Sequence, residues 1–342
     1  MKITKLLAAL TLAASTILLS NAYAYKIGIA MPDQNEPHWY DQGFTLEKKL
    51  KSHGYETILF FGGDNDKELQ QRQLVRMVDK ENVDLLIVAS VDGGALVDSL
   101  KPALNKHIPV ISYDRLITGT EAASYYATFD NAKVGQIQGK FLIDTLKPTV
   151  DNPKNIEIFY GSLDDNNAKF FYGDAMKILK PYLDIGALKV LSGEIKPEDT
   201  ACQGWSGDIA NKRMGALIEK VCYGPNKTKL DGILVPADCL SLGVILALKK
   251  AGYTSDNFPV LTGQDAVPNA LKAIDEGYMG MTIFKNPADL SEAVISMVNA
   301  ISKGDKVEVN DNKTYDNGAK VMETFLCSPK LITKANISDV TP

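Results

Sequence analysis

Short apolar runs alternate with segments of helical periodicity along almost the whole chain, and this alternation limits the fold more than any other feature. Such alternation is typical of parallel sheets with helices on both faces. The strand-like runs are KIGIAMP, ETILFFG, LLIVASV, PVISYD, YYATFDN, IEIFYG, LKVLSGE, GILVPA, PVLTGQD, MTIFK and VMETFL. Helical segments lie near residues 40–52, 66–80, 94–106, 131–146, 167–183, 208–222 and 240–251, and a last helix carries Leu290, Val294, Met297, Val298 and Ile301. The sequence therefore predicts an α/β protein.

The strand and helix series restarts after the segment 131–146, which predicts two similar Rossmann-like lobes with parallel sheets. No long Gly/Ser or Pro linker separates the two series, so we expect a hinge of several short strands. The extra elements at the end of the chain indicate more than one crossing between the lobes. We assign residues 25–128 and 286–320 to an N-terminal lobe and residues 129–285 and 321–342 to a C-terminal lobe, with a ligand in the cleft between them.

Residues 1–24 have the features of a cleaved secretory signal peptide. Two lysines precede an apolar stretch over residues 6–19, and a small-residue cleavage site follows at positions 22–24. The apolar stretch is short for a membrane span, and nothing later approaches 18 consecutive apolar residues. We therefore predict an exported, periplasmic protein that begins near Tyr25 and does not span the membrane.

The charge of the chain indicates which partners it does not bind. The chain has 37 Lys and Arg against 42 Asp and Glu, with a net charge of −5. Because its charges are dispersed, nucleic acid and anionic lipid are not expected to bind.

The four cysteines lack a CxxC metal signature, and an exported chain permits disulfides. Spacing does not separate the three full pairings. A Cys202–Cys239 bond is the first choice, no disulfide at all is equally open, and no metal or other cofactor is predicted.

Six of the apolar runs end in side chains that can hydrogen-bond to hydroxyl groups. These residues are Asp92, Asp114 and Arg115, Asp165 to Asn167, Asp238, Gln264 and Asp265, and Lys285. Ligands of open parallel sheets bind outside the carboxyl ends of the strands, so these side chains should converge on one crevice. Carboxylates accept hydrogen bonds from hydroxyls, Arg and Lys donate to them, and amides do both. A phosphate site, by contrast, uses Gly-rich backbone and few acids. These side chains therefore favour a neutral polyol as the ligand.

Two tryptophans add apolar surfaces to this polar set. Trp39 follows the first strand, and Trp205 lies in the loop QGWSG. A pyranose has hydroxyls at its rim and C–H groups on its faces, so flat rings above and below it suit the sugar. Either tryptophan alone could equally be a lid over the core. Beside the polar residues, the pair favours an aldopyranose.

Several short segments together carry a specific resemblance over nearly the whole mature chain. They are SVDG at 90–93, YDRLI at 113–117, YATFDNAKVGQIQ at 126–138, DDNNAKFF at 164–171, SGE at 192–194, GW at 204–205, TGQDA at 262–266 and TIFK at 282–285. With them the chain resembles the xylose-binding and multiple-sugar-binding proteins of ABC transporters, which have the type I periplasmic binding protein fold. The resemblance implies a monomeric receptor without enzymatic activity. It would bind a monosaccharide by hinge closure and deliver it to an ABC permease, and a chemoreceptor is a second candidate partner.

The resemblance also implies roles for single residues. Trp39 and Trp205 correspond to the aromatic residues that enclose the sugar ring. Asp114 and Arg115 correspond to the acid and the guanidinium that bind ring hydroxyls and the ring oxygen. The other implied ligand contacts are Asp92, Asp165, Asn167, Asp238, Asp265 and Lys285.

Two positions depart from the pattern of these relatives. His38, also a candidate ligand contact, stands where they place Arg before the first tryptophan, and Ala237 stands where many carry Asn. The sugar preference of these relatives is therefore not assigned to this chain, and xylose, glucose, galactose and arabinose are all candidates.

Some of these residues have simpler interpretations. Asp92 before two glycines and Asp165 before a helical segment could act as helix caps. Arg115 could form a surface ion pair, and Lys285 could be an ordinary lysine at a strand end. The acids of segment 64–68 resemble a calcium loop only faintly, because Leu and Val occupy the positions that need Gly and Glu.

Two other functional classes share parts of this pattern. An exported glycoside hydrolase could use Asp114 and Asp265 as cleft acids. However, no GxSxG or HExxH motif is present, and Arg115 next to Asp114 would lower the pKa of that acid, whereas acid catalysis needs it raised. A sugar-responsive repressor would need a DNA-binding head where this chain has its signal peptide.

Overall fold

A computed structural model describes residues 24–63 and 65–340. The predicted signal peptide lies outside these residues except for Ala24. The strands are β1 Lys26–Met31, β2 Glu56–Phe61, β3 Leu85–Val88, β4 Val110–Tyr113, β5 Ala123–Phe129, β6 Lys154–Ile158, β7 Leu188–Lys189, β8 Gly232–Leu234, β9 Val260–Leu261, β10 Thr282–Phe284, β11 Glu323–Cys327 and β12 Lys330–Ile332. The helices are α1 Pro37–Ser52, α2 Lys67–Asp79, α3 Lys101–Asn105, α4 Asn131–Leu146, α5 Asn166–Asp184, α6 Pro197–Thr200, α7 Gly207–Val221, α8 Asp238–Lys250, α9 Pro268–Asp275 and α10 Pro287–Lys303. None of these helices is long and apolar enough to cross a membrane.

Six strands form the first sheet, in the order β11-β5-β4-β3-β1-β2, and every neighbouring pair is parallel. Ile29 and Met31 of β1 pack in one core with Leu46 of α1 and Val294 of α10. Ala30 of the same strand packs in a second core with residues of α2 and α3 on the opposite face. Because both faces are covered, β3 is buried at every position and reads as a continuous apolar run.

A second sheet of four parallel strands has the order β7-β6-β8-β9. Apolar residues of α4 and α5 pack on one face, and those of α7 and α8 pack on the other. The short antiparallel pair β10–β12 completes this part of the chain. The predicted fold class, two α/β lobes with parallel sheets, is confirmed.

The chain leaves the first sheet after β5, returns to it after β10 and leaves it again after β11. The first and third crossings are neighbours, since the backbone N–H of Asp130 donates to the carbonyl of Cys327 at 2.9 Å. Strand β11 pairs with β5, so Glu323–Cys327 belongs to the first sheet and our assignment of residues 321–342 to the C-terminal lobe is corrected there. The apolar pattern of VMETFL predicted a strand but could not identify its partner.

The predicted helix over 94–106 is broken into two short pieces. A 3-10 turn covers Gly93–Leu96, and Pro102 lies in the first turn of the separate helix α3. Consecutive glycines disfavour a continuous helix from residue 93, whereas proline is tolerated in the first turn of a helix. The segment therefore forms a short 3-10 turn and then a separate helix. Two further differences are that LKVLSGE contributes only the two residues of β7, and that α9 was not predicted.

Helices α4 and α5 pack closely because α4 presents glycines to α5. A Cβ atom at Gly135 would lie 2.3 Å from the carbonyl oxygen of Phe171, and one at Gly139 would lie 2.9 Å from that of Ala175. No other residue fits at this distance without moving the backbone of α5. The contact therefore sets the position of the first turn of α5, which carries Asn167.

We expect Gly135→Ala to lower the free energy of unfolding by about 1–3 kcal/mol, because the added methyl group forces the two helices apart. Gly173→Ala on α5 is the matched control, since no atom lies within 4 Å of the added Cβ. It should be neutral or stabilising by up to about 1 kcal/mol, from helix propensity. Urea denaturation of the two variants measures both values, and a Gly135→Ala protein as stable as the parent would contradict the packing.

Candidate functional site

A cavity of about 330 Å³ lies between the two sheets, where their strands end. Its volume is at the small end of the range for small-molecule sites. Nine of the eleven predicted ligand contacts line it, and they come from both lobes: His38, Trp39, Asp114, Arg115, Asp165, Asn167, Trp205, Asp265 and Lys285. The polar residues that follow separate strands are thus brought together in one place. Which of them contact a ligand stays a prediction.

Asp114 is fixed in the cavity wall through its backbone and its side chain. It follows β4 with a left-handed backbone, φ 58°, which turns the chain out of the strand. Its carbonyl accepts from the Tyr126 hydroxyl at 2.5 Å and the Thr128 hydroxyl at 2.9 Å. The Asn167 amide donates to the same carbonyl and to Asp114 Oδ1, both at 3.0 Å. Asp114 Oδ2 is buried without a hydrogen-bond donor among the described residues, so it can accept from a ligand.

Lys285 provides positive charge beside two buried acids. Its Nζ lies 3.1 Å from Asp265 Oδ1, and its side chain is only 6% exposed. Burial alone would lower the pKa of Lys285, but Asp265 and Asp114 raise it above its ordinary value. Burial alone would raise the pKa of Asp114, yet Lys285, His38 and Arg115 together hold it well below its ordinary range. Lys285 and Asp114 are therefore both charged at neutral pH.

Arg115 connects the two lobes. Its Nε lies 3.2 Å from Asp165 Oδ2, and the Trp205 indole N–H donates to the same oxygen at 3.1 Å. The other oxygen of Asp165 accepts from the backbone N–H of Asn167 at 2.9 Å, so this residue both caps α5 and lines the cavity. The Arg115 guanidinium also lies 4.9 Å from the centre of the Trp39 ring. The surface ion pair considered for Arg115 is thus a buried pair at the cavity.

His38 lies between acids of both lobes. Its Nε2 is 3.6 Å from Asp114 Oδ2 and its Nδ1 is 4.0 Å from Asp265 Oδ1, both longer than a hydrogen bond. Its Nε2 is also 2.8 Å from the Gln42 amide nitrogen, and Gln42 Oε1 accepts from the Tyr113 hydroxyl. His38 therefore faces acids of both lobes with its two ring nitrogens.

Aromatic rings form the apolar part of the lining. Trp205 lies so close to Gly161 that a Cβ atom there would be 2.2 Å from its ring. Phe171 packs edge-on against Trp205, with ring centres 6.2 Å apart, and His38 packs edge-on against Trp39 at 4.7 Å. Both tryptophans are thus held by their neighbours, and both line the cavity.

Asp92 and Asp238 do not line the cavity, and the prediction that they contact a ligand is not supported by the structure. Asp92 accepts from the backbone N–H groups of the 3-10 turn that follows it and lies 3.8 Å from Lys67 Nζ, which is the capping alternative. Asp238 is fully buried and accepts from the Thr282 hydroxyl at 2.8 and 3.0 Å and from the Val267 N–H at 3.0 Å. It joins α8 to β10. Position at a strand end did not reveal the direction of either side chain.

All four cysteines are free thiols, so the Cys202–Cys239 bond is not formed. Cys239 lines the cavity, and Cys202 is buried in the core of the second lobe. Within residues 24–63 and 65–340, no group of three His, Cys, Asp or Glu side chains is arranged to hold a metal ion.

Several lining residues were missed in the sequence. Asp33 and Glu36 lie between β1 and α1, Asn65 lies before α2, and Phe171 lies one turn after Asn167 on α5. The acids of PDQNEP follow a strand, as the predicted residues do, so the same signal could have found them. Phe171 reads as an ordinary core residue, because only its neighbours place it at the cavity.

We expect Lys285→Met to lower the free energy of unfolding by about 3–5 kcal/mol at pH 7, because it leaves buried Asp114 and Asp265 without their cation. The lowered pKa of Asp114 stabilises the fold above about pH 4, and this contribution is lost as the pH falls further. The difference between the two proteins should therefore narrow in acid, as urea denaturation at several pH values would measure. Lys180→Met, which breaks the exposed pair with Asp184, is the control and should cost less than about 1 kcal/mol. Equal effects of the two substitutions would contradict this account.

Known proteins share this architecture. A family model described as a periplasmic binding protein domain matches residues 27–306. The multiple sugar-binding periplasmic protein SbpA of Azospirillum brasilense is 41% identical over 313 residues, which cover 91% of this chain and 86% of the relative. The D-xylose-binding periplasmic protein of Escherichia coli is 32% identical over 343 residues, which cover 99% of this chain and 96% of the relative.

Solved structures show the same similarity. An ABC transporter solute binding protein from Clostridium phytofermentans with bound β-D-glucose is 40% identical and has a TM-score of 0.87, covering 92% of this chain and 96% of that one. A carbohydrate transporter solute binding protein from Chloroflexus aurantiacus in complex with D-glucose is 25% identical, has a TM-score of 0.81 and covers 92% of this chain and 94% of that one. These relatives are binding proteins and not enzymes. The resemblance found in the sequence motifs is confirmed: the chain belongs to the periplasmic binding protein family.

Proposed function

We propose that this protein is the periplasmic receptor of an ABC importer and that it binds one monosaccharide between its lobes. The observation that carries the proposal is a small cavity lined by polar and aromatic side chains from both lobes. Relatives described as binding multiple sugars, D-xylose and glucose support the same class of ligand. Aldopyranoses such as xylose, glucose, galactose and arabinose are the candidates.

The lining residues have four roles in this proposal. Arg115 and Lys285 donate hydrogen bonds to ring hydroxyls or the ring oxygen. Asp114 Oδ2 and Gln264 Oε1, which are buried without donors among the described residues, accept from hydroxyls. Trp39 and Trp205 cover apolar C–H faces of the ring. Asp165 and Asn167 bind the ligand and also hold Arg115 and Asp114 in position.

Ligand binding is coupled to closure of the two lobes. The pairs Arg115–Asp165 and Asn167–Asp114 join residues of opposite lobes at hydrogen-bond distance. The three short crossings after β5, β10 and β11 form a hinge through which such contacts can open and close. The closed form then presents a distinct surface to a membrane permease. Export through a signal peptide cleaved near Tyr25, action as a monomer and a second partner in a chemoreceptor belong to the same proposal.

The glycoside hydrolase alternative gains no support from Asp114, one of its two candidate acids. Acid catalysis needs a carboxylic acid whose pKa is raised so that it can donate a proton. Lys285, His38 and Arg115 hold the pKa of Asp114 well below its ordinary range despite burial, so this acid stays ionised. A fixed carboxylate of this kind suits the binding of hydroxyl groups.

Thermal unfolding against a panel of free monosaccharides tests the proposal. The mature protein is unfolded and refolded first, because a tightly bound sugar can survive purification. A ligand at 100 times its dissociation constant adds about 2.7 kcal/mol to stability, which is a clear upward shift. We expect a shift with one or a few aldoses and no product formed. No shift with any of them would reject a monosaccharide receptor.

We expect Arg115→Ala to weaken sugar binding at least about tenfold, because a hydrogen bond to a charged group contributes about 1.5–3 kcal/mol. The substitution also leaves Asp165 without its cation. Arg76→Ala, which removes an exposed pair with Glu81, is the control and should leave affinity unchanged. Calorimetric titration measures both affinities. An unchanged affinity of Arg115→Ala would show that Arg115 does not contribute to sugar binding.

A further inference from the structure

Acids outnumber cations in the cavity lining. Two permanently charged cations, Arg115 and Lys285, face five carboxylates: Asp33, Glu36, Asp114, Asp165 and Asp265. Each cation is already paired, since Arg115 lies 3.2 Å from Asp165 and Lys285 lies 3.1 Å from Asp265. Protonation of His38 would add one positive charge and would still leave an excess of acids. The cavity therefore carries net negative charge.

The excess is concentrated in one corner, between β1 and α1. Asp33 is 5% exposed and accepts only neutral donors, the backbone N–H of Asn35 at 2.7 Å and the Asn65 amide at 3.0 Å. Neither Asp33 nor Glu36 forms an ion pair with a Lys or Arg of the described chain. Burial raises the pKa of Glu36, His38 opposes that effect and Asp265 adds to it, so the negative charge of this corner rests first on Asp33.

Two buried oxygen atoms point to the complementary ligand. Asp114 Oδ2 and Gln264 Oε1 belong to lining side chains that are 3% and 2% exposed, and neither has a hydrogen-bond donor among the described residues. Both are acceptors. A ligand that donates satisfies them, whereas an anionic ligand brings further acceptors and charge of the same sign.

We infer that the cavity selects its sugar by charge: it accepts uncharged and amine-bearing monosaccharides and excludes uronic acids and sugar phosphates. Asp33 and Glu36 are the residues that set this preference. A carboxylate on the ligand meets their field at the low dielectric of a buried site, where like charges repel strongly. An ammonium group is attracted by the same field. This inference rests on the proposed function, since it assumes that the ligand is a monosaccharide.

A series that changes only the group at carbon 6 of D-glucose tests the inference. The ligands are D-glucose, D-glucuronamide, D-glucuronate and 6-amino-6-deoxy-D-glucose, titrated calorimetrically into the refolded protein at pH 7. Glucuronamide has the shape of glucuronate without the charge, so the comparison isolates charge. We expect glucuronate to bind about tenfold more weakly than glucuronamide, or worse. The amine should bind at least as tightly as the amide.

Variants locate the effect in the acidic corner. Glu36→Gln and Asp33→Asn each remove one negative charge with little change in shape, and should reduce the amide-to-carboxylate affinity ratio by about threefold or more. Glu121→Gln, an exposed acid outside the cavity, makes the same change in net charge and should leave the ratio unchanged. Melting temperatures show that each variant is folded. A ratio that stays the same in both cavity variants would overturn the role of this corner.

The outcomes separate this inference from the proposed function. If no aldose binds, the receptor itself is rejected. If an aldose binds and glucuronate binds as tightly as glucuronamide, only the selection by charge is overturned. If the protein accepts only pentoses, D-xylose and 2-amino-2-deoxy-D-xylose test the acceptance of an amine, and an amine that binds more than about tenfold more weakly than D-xylose would contradict the inference.

Discussion

Accurate pairing of the buried groups Lys285, Asp114, Arg115 and Asp165 holds the two lobes together at the cavity. Removing such groups from water costs several kcal/mol each, and the cost is recovered only when partners are placed accurately. Here the partners come from different lobes, as in the pair Arg115–Asp165 at 3.2 Å. The two lobes must therefore meet in one geometry for the charges to be satisfied. A polyhydroxyl ligand in the cavity would add hydrogen bonds to the same groups.

The fold supplies this accuracy through the ends of its parallel strands. Asp114 follows β4 and Asp265 follows β9, and both have positive φ values, 58° and 102°. Residues other than glycine adopt such angles only where surrounding contacts hold them, and such positions cluster at functional sites. For Asp114 these contacts are the Tyr126 and Thr128 hydroxyls on its carbonyl. Close packing of α4 on α5 then brings Asn167 to the same point.

The sequence predicted the parts of this structure that follow from local pattern. Apolar runs ending in polar residues located the strand ends, and nine predicted residues line one cavity. The features that local pattern did not predict depend on contacts between residues far apart in the chain. Asp92 and Asp238 occupy strand ends like their neighbours but turn towards backbone N–H groups and Thr282. Strand β11 has a recognisable pattern, yet only the folded chain shows that it pairs with β5.

A crystal structure of the refolded mature protein with its most stabilising aldose would show where and how the sugar binds. We predict one sugar ring in the cavity between the lobes, with its hydroxyls within hydrogen-bond distance of Asp114 Oδ2 and Arg115, and with Trp39 and Trp205 against its faces. Both lobes should contact the same ring. A sugar bound outside this cavity, or bound within it by one lobe alone, would contradict the account.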